Sequence, residues 1–247
     1  MEIILLFMDY YFVTGTSTGI GKAIALKLLE KEKVQVYGFS RRQTIEHANY
    51  YHSYLNLDSP EDLLNFKFQD IEQAERIVLI NNAGIIGNIA FVGNKQNNSI
   101  INTYNINIVS PSILMNHFIK KYQFMETEKI ILNISSGAGR HSIAAWSDYC
   151  ASKSALDMFS QTIAEEQLFL SETQRFRVFS VAPGIVDTPM QEQIRETGKE
   201  NFPFHETFVN YKEQNLLTSP EDVAKSIQDI IENPAKYNEV IMDLRNL

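Results

Sequence analysis

Short apolar runs bounded by glycine, asparagine or proline recur along the chain, separated by stretches with apolar residues every three or four positions. The runs predict strands over residues 10–13, 34–39, 52–55, 77–80, 130–134, 178–181 and 240–244. Several are apolar at consecutive positions, as in Ile77-Val78-Leu79-Ile80, which places them between two helix layers in a parallel sheet. After the first run, Ile20, Ile24 and Leu28 follow at four-residue steps, with Lys27, Glu30 and Lys31 towards water, as in an amphipathic helix. Ser59-Pro60-Glu61-Asp62 and Ser219-Pro220-Glu221-Asp222 each read as an N-cap followed by proline at the first helical position. Strand and helix alternate throughout, so the predicted fold is α/β, a doubly wound parallel sheet of about seven strands.

Two segments depart from this alternation. Residues 1–8 are apolar without a basic leader, and read either as an extension of the first strand or as residues ahead of a natural start at Met8. Asp9 would interrupt a continuous strand. Residues 191–214 mix Arg195, Glu196, Gly198, Lys199 and Glu200 with Phe202, Phe204 and Phe208, which suggests a substrate lid or, more plainly, a surface helix pair with a few buried anchors. No repeat, low-complexity tract or linker divides residues 1–247, so one domain is expected.

The chain has 247 residues, 44% hydrophobic and 21% charged, which excludes disorder and leaves room for a fully buried sheet. A net charge of −8 argues against nucleic-acid or anionic-membrane partners. Cys150 is the single cysteine, which rules out an internal disulfide and fits a reducing, cytoplasmic location. The five histidines show no metal-ligand spacing, and no metal is expected.

The first turn carries chemistry. Thr14-Gly15-Thr16-Ser17-Thr18-Gly19-Ile20-Gly21 lies between the first strand and the first helix. Gly15 allows a tight turn, Gly19 lets a pyrophosphate approach the backbone, and Gly21 allows close helix–sheet packing. Free N–H groups at the helix start attract phosphate. The second strand ends in Gly38-Phe39-Ser40-Arg41-Arg42, without the acid that would accept hydrogen bonds from the ribose 2′-hydroxyl of NAD. Two arginines instead favour the 2′-phosphate of NADP(H).

Tyr149 and Lys153 lie four residues apart, so a helix puts phenol and ammonium on one face. A nearby ammonium favours phenolate and brings tyrosine towards useful proton transfer. Ser136, thirteen residues before Tyr149, could bind a carbonyl oxygen. Ser135-Ser136, Asn81-Asn82-Ala83-Gly84 and Pro183-Gly184-Ile185-Val186-Asp187-Thr188 all follow predicted strands, at the edge where open α/β sheets bind ligands.

This ordered set of motifs resembles the short-chain dehydrogenase/reductases, which have a Rossmann fold, over essentially the whole chain. The stretches 133–139 and 190–195 are similar to those of the benzil reductase and sepiapterin-reductase-like group. The resemblance implies that Tyr149 protonates the carbonyl oxygen, that Lys153 lowers the tyrosine pKa and holds the nicotinamide ribose, and that Ser136 polarises the carbonyl. Asn107 would support a water relay behind Lys153, with Asn105 its rival. Asn82, Ala83 and Gly84 would fix the central strand and the adenosine side. Ile185 and Thr188, after Pro183-Gly184, would approach the carboxamide and phosphates of the nicotinamide half, and Ser17, Thr18, Ser40 and Val186 would also belong to the cofactor site. After the third strand, where the family commonly has Asp, the chain has Asn56-Leu57-Asp58, so either Asn56 or Asp58 contacts adenine. His141, Trp146 and Met190 would line or border the substrate pocket. Phe159 and Ile163, in excess of what one sheet face needs, suggest a homodimer or homotetramer built on the Tyr149 helix.

Cys150 reads as a small buried hydrophobe and Asp148 as an exposed acid at a helix start. The leading function is an NADPH-dependent carbonyl reductase of a small ketone, diketone or pterin side chain. Its rivals are an NADP-dependent alcohol dehydrogenase of a steroid or polyol, and a non-catalytic NADPH-binding regulator. A regulator needs cofactor affinity but no proton donor, so the serine, tyrosine and lysine together argue against it.

Overall fold

The computed structural model describes residues 7–247. Seven strands form one parallel sheet: β1 (Asp9–Thr14), β2 (Val34–Ser40), β3 (Tyr50–Tyr54), β4 (Arg76–Asn81), β5 (Glu128–Ile134), β6 (Arg177–Ala182) and β7 (Ile241–Asp243). Their order is β3-β2-β1-β4-β5-β6-β7, which gives the predicted Rossmann-type sheet in a single domain. The chain winds outward from β1 to β3, then crosses back to β4 on the other side of β1. That reversal opens a crevice at the carboxyl ends of the strands.

Helices cover both faces: α1 (Gly19–Leu28), α2 (Pro60–Asn65), α3 (Asn97–Tyr104), α4 (Ser110–Tyr122), α5 (Ser147–Gln167), α6 (Pro189–Glu196), α7 (His205–Glu213) and α8 (Pro220–Glu232). Val13, Val78, Ile130 and Val181 point to one face, where they meet Ile24 and Leu28 of α1 and Ile227 and Ile231 of α8. Phe12, Leu79 and Ile131 point to the other, against Phe118 of α4 and Leu156 of α5. Burial on both faces is what the unbroken apolar runs required. The two Ser-Pro motifs cap as expected: Ser59 and Ser219 each accept a hydrogen bond from the backbone N–H three residues on. Among the described residues no helix is long and apolar enough to cross a membrane.

Two expectations change, and one falls outside the described residues. Residues 1–6 lie outside the described residues, so the two readings of the amino terminus are not distinguished. Asp9, however, begins β1 instead of interrupting it: its carboxylate accepts from Lys31 (2.6 Å) and Tyr11 (3.1 Å), which compensates the burial. Ile163 faces the core against the sheet, leaving Phe159 as the partly exposed member of that pair.

Candidate active site

One cavity of about 730 Å³ runs along the carboxyl edge of the sheet from the β1–α1 turn to α5, α6 and α7. Gly15 (φ +75°) and Gly19 (φ +56°) are both left-handed, a conformation that favours glycine. No side chain caps the first turn of α1, and it holds no acid. Its N–H groups and the positive end of the helix therefore face the cavity, as a pyrophosphate requires. A Cβ on Gly21 would lie 2.2 Å from Asn82 Nδ2 and 2.5 Å from Gly15 O, so the turn closes only on glycine. Asn82 Nδ2 donates to Thr14 O (2.9 Å), while Thr14 Oγ1 accepts from the N–H groups of Asn82 and Ala83 (3.0 and 3.1 Å). These bonds lock the ends of β1 and β4 together beneath the crevice. The cradle fits a dinucleotide.

Of the residues expected at the cofactor, Gly15, Ser17, Thr18, Gly19, Ile20, Ser40, Arg41, Asn56, Leu57, Asn82, Ala83, Gly84, Pro183, Gly184, Ile185, Val186 and Thr188 all line this cavity. Gly21 packs beneath it. Arg42 is exposed and outside the wall; its carbonyl accepts from the Ser40 hydroxyl (2.8 Å), and only Arg41 of the pair borders the cavity. Asp58 is committed to Asn105, which donates to it at 3.1 Å, so Asn56 is the member of its pair that faces the cavity. That same bond separates the two asparagines. Asn107 sits in a single π-helical stretch, Asn105–Val109, between α3 and α4. Its amide accepts from Ile85 N (2.9 Å) and donates to Ile85 O (2.8 Å) and Ser152 Oγ (3.1 Å). It lies behind the cavity wall, close enough to Lys153 that a Cβ on Gly84 would be 3.3 Å from its Oδ1 and 3.5 Å from Lys153 Nζ.

Ser136, Tyr149 and Lys153 share the cavity wall. Ser136 follows β5 and accepts from Ala138 N (3.2 Å). Lys153 Nζ lies 5.9 Å from the Tyr149 ring centre and donates to Ile134 O (2.8 Å). Burial lowers Lys153 to about 8, opposed by Asp157 one turn on. Burial also raises Tyr149 above the usual phenol range; the Ser136 hydroxyl works the other way. The shift runs upward and not down as expected from Lys153, because removal from water is its largest cause and favours the neutral phenol.

The far end of the cavity is aromatic. Trp146 stacks on Phe202 (5.3 Å between ring centres, 12° between planes) and meets Tyr149 edge-on at 5.7 Å. His141 and Met190 line the cavity, as expected. Residues 191–214 hold the rest of α6, then α7, and bury Phe202 completely. Arg245 was missed: beyond β7 it forks onto Asp243 (2.9 and 2.6 Å) and enters the wall beside Gly184. No local pattern marks it. Asp148 is not an exposed acid; it is buried and paired with Lys95 (2.7 Å). Cys150 is partly buried, and burial raises its thiol.

A parallel sheet in this order, with a glycine cradle and a Ser–Tyr–Lys set at one crevice, defines a dinucleotide-dependent oxidoreductase. Residues 10–199 match the short chain dehydrogenase family, and the chain belongs to it. It is thus an oxidoreductase acting on carbonyl and hydroxyl groups of small molecules, in a family whose cofactor is a nicotinamide dinucleotide. The chain is 37% identical to benzil reductase ((S)-benzoin forming) of Bacillus cereus over 238 residues, covering 91% of this chain and 94% of the relative. It is 33% identical to the enzyme of the same name from Bacillus subtilis (strain 168), covering 94% and 97%. Among solved structures it resembles a short chain dehydrogenase/reductase from Saccharomyces cerevisiae, with a TM-score of 0.81, 25% identity and 95% of each chain covered.

Proposed function

We propose that the protein is an NADPH-dependent carbonyl reductase that reduces a small aromatic ketone or diketone to an alcohol or hydroxyketone. The observation that carries this reading is that buried Tyr149 shares one cavity wall with Ser136, Lys153 and the glycine cradle.

The β1–α1 turn and Arg41 would hold the dinucleotide, Arg41 serving the 2′-phosphate and Asn56 the adenine. Once bound, that cofactor supplies the hydride. Ser136 and Tyr149 both donate hydrogen bonds to the carbonyl oxygen, which polarises the carbon and stabilises charge as it builds on oxygen. Tyr149 then gives up its proton. Lys153 would hold the ribose hydroxyls, and its ammonium would favour the phenolate left behind; Asn107 fixes the Ile85 backbone nearby. Trp146, Phe208 and Tyr211 give the other end an aromatic lining that suits an aryl ketone, and α6 and α7 act as the lid. The names of the Bacillus relatives point the same way. The exposed Phe159 on α5 supports a homodimer through that helix.

The test is NADPH oxidation with benzil, followed by chiral analysis of the product. Tyr149→Phe is expected to abolish turnover while leaving NADPH affinity within about twofold, since the lost hydroxyl serves the transition state. Unchanged kcat in that variant would remove the mechanism.

A further inference from the structure

Tyr149 is the third residue of α5, in a first turn that no side chain caps. Trp146 stands at the N-cap, and Ala145 before it is left-handed at φ +73°. A non-glycine residue stays in that region only where its surroundings hold it, and an uncapped first turn frays. What holds this one is Lys95, from the segment between β4 and α3. Its ammonium donates to Ala145 O (3.1 Å), Asp148 Oδ1 (2.7 Å) and Asn88 O (2.5 Å), so each of its three protons has an acceptor. Ala90 N reaches the same Ala145 carbonyl (3.3 Å).

The Lys95 and Asp148 side chains are each 2% exposed. Burying two charges costs so much solvation that a pair of similar-sized apolar groups would stabilise the fold as well or better. The geometry gives another reason for the pair. Two acceptors of the ammonium flank Trp146, and the third anchors the segment that runs on from Ile85 and Ile86 in the cavity wall. Asp148 is also covalently next to Tyr149.

We propose that Lys95 and Asp148 form a positioning pair that fixes the first turn of α5, and so sets the Tyr149 hydroxyl and the Trp146 indole against the carbonyl substrate. The proposal deepens, and rests on, the carbonyl-reductase reading above. Proton donation depends on placement to a fraction of an ångström, and a misplacement of about 1 Å costs up to about a hundredfold in rate.

Lys95→Met alone would strand a buried carboxylate, so the principal variant is Lys95→Met combined with Asp148→Asn, which carries no buried charge. Trp146 is the only tryptophan in the chain, so intrinsic fluorescence reports on this turn directly. The double variant is expected to bind NADPH within about twofold of the parent, to shift its Trp146 emission, and to lose about tenfold to a hundredfold in kcat for benzil. A folded double variant with parental emission and kcat within about twofold overturns the proposal, as does a loss confined to the unfolding temperature. If the double variant does not fold, Lys95→Met combined with Asp148→Leu, an apolar pair of similar size, decides. A loss of kcat with an emission shift supports the pair, and parental values for both overturn it. If the parent reduces no ketone, the reductase reading fails, and Trp146 emission still judges the pair.

Discussion

Lys153 is a charged side chain that folding has taken out of water. Its lowered pKa means that the unfolded chain binds this proton more tightly between pH 8 and about 10.5. Stability therefore rises with pH across that window, and the whole penalty is present below pH 8. Asp157, held by Ser180 (2.6 Å) and Arg140 (3.3 Å), offsets only part of it. Lys153→Met is expected to stabilise the ligand-free protein at pH 7 by roughly 1–3 kcal/mol, less the hydrogen bond lost to Ile134 O. The gain should shrink towards pH 10.5. Urea unfolding at pH 7 and pH 10 measures both; a less stable methionine variant at pH 7 would contradict the burial argument. At this scale the sequence exposed the helical spacing of Tyr149 and Lys153 and the absence of an acid after β2. It could not reveal the sign of the Tyr149 shift, which depends on water being excluded by residues far along the chain. Asp148 was misread for the same reason: its partner Lys95 is fifty-three positions away.

At the scale of elements, the β1–α1 turn tolerates little change. At Gly21 a methyl group would meet a backbone carbonyl and the Asn82 amide, neither of which can retreat without opening the β1–β4 lock. Gly21→Ala is expected to cost about 1–3 kcal/mol and to weaken NADPH binding, read from the urea midpoint and a fluorescence titration. The strands and both Ser-Pro caps were legible because each rests on a local rule, two-sided burial or N-cap chemistry. The π-helical stretch at Asn105–Val109 was not. It follows from Asn107 bonding to the Ile85 backbone on another element, and nothing in the local spelling requires it. The 191–214 segment was half legible: its aromatics suggested anchors, and Phe202 became one only through its stacking on Trp146.

The whole molecule is organised around a crevice that a dinucleotide spans, so cofactor affinity and global stability are linked. At about 100 times its dissociation constant, NADPH should stabilise the fold by about 2.7 kcal/mol, a rise in unfolding temperature of roughly 5–10 °C for a chain of this size. NADH at the same concentration should give less, and Arg41→Asp should remove the difference, because one charge-assisted contact to the 2′-phosphate is worth about 1.5–3 kcal/mol. Equal shifts for both nucleotides in the parent would refute the role given to Arg41. The sheet order was legible as a class from the alternation of elements. The joining of its two halves into a single cavity was not, since that depends on α6, α7 and Arg245.

Arg245 joins distant parts of the sequence at one crevice. The nucleotide cradle comes from the β1–α1 turn, yet another stretch of the wall comes from Arg245, beyond β7. Two elements far apart along the polypeptide thus build one chamber, and Arg245→Ala should cost ketone turnover more than dinucleotide retention.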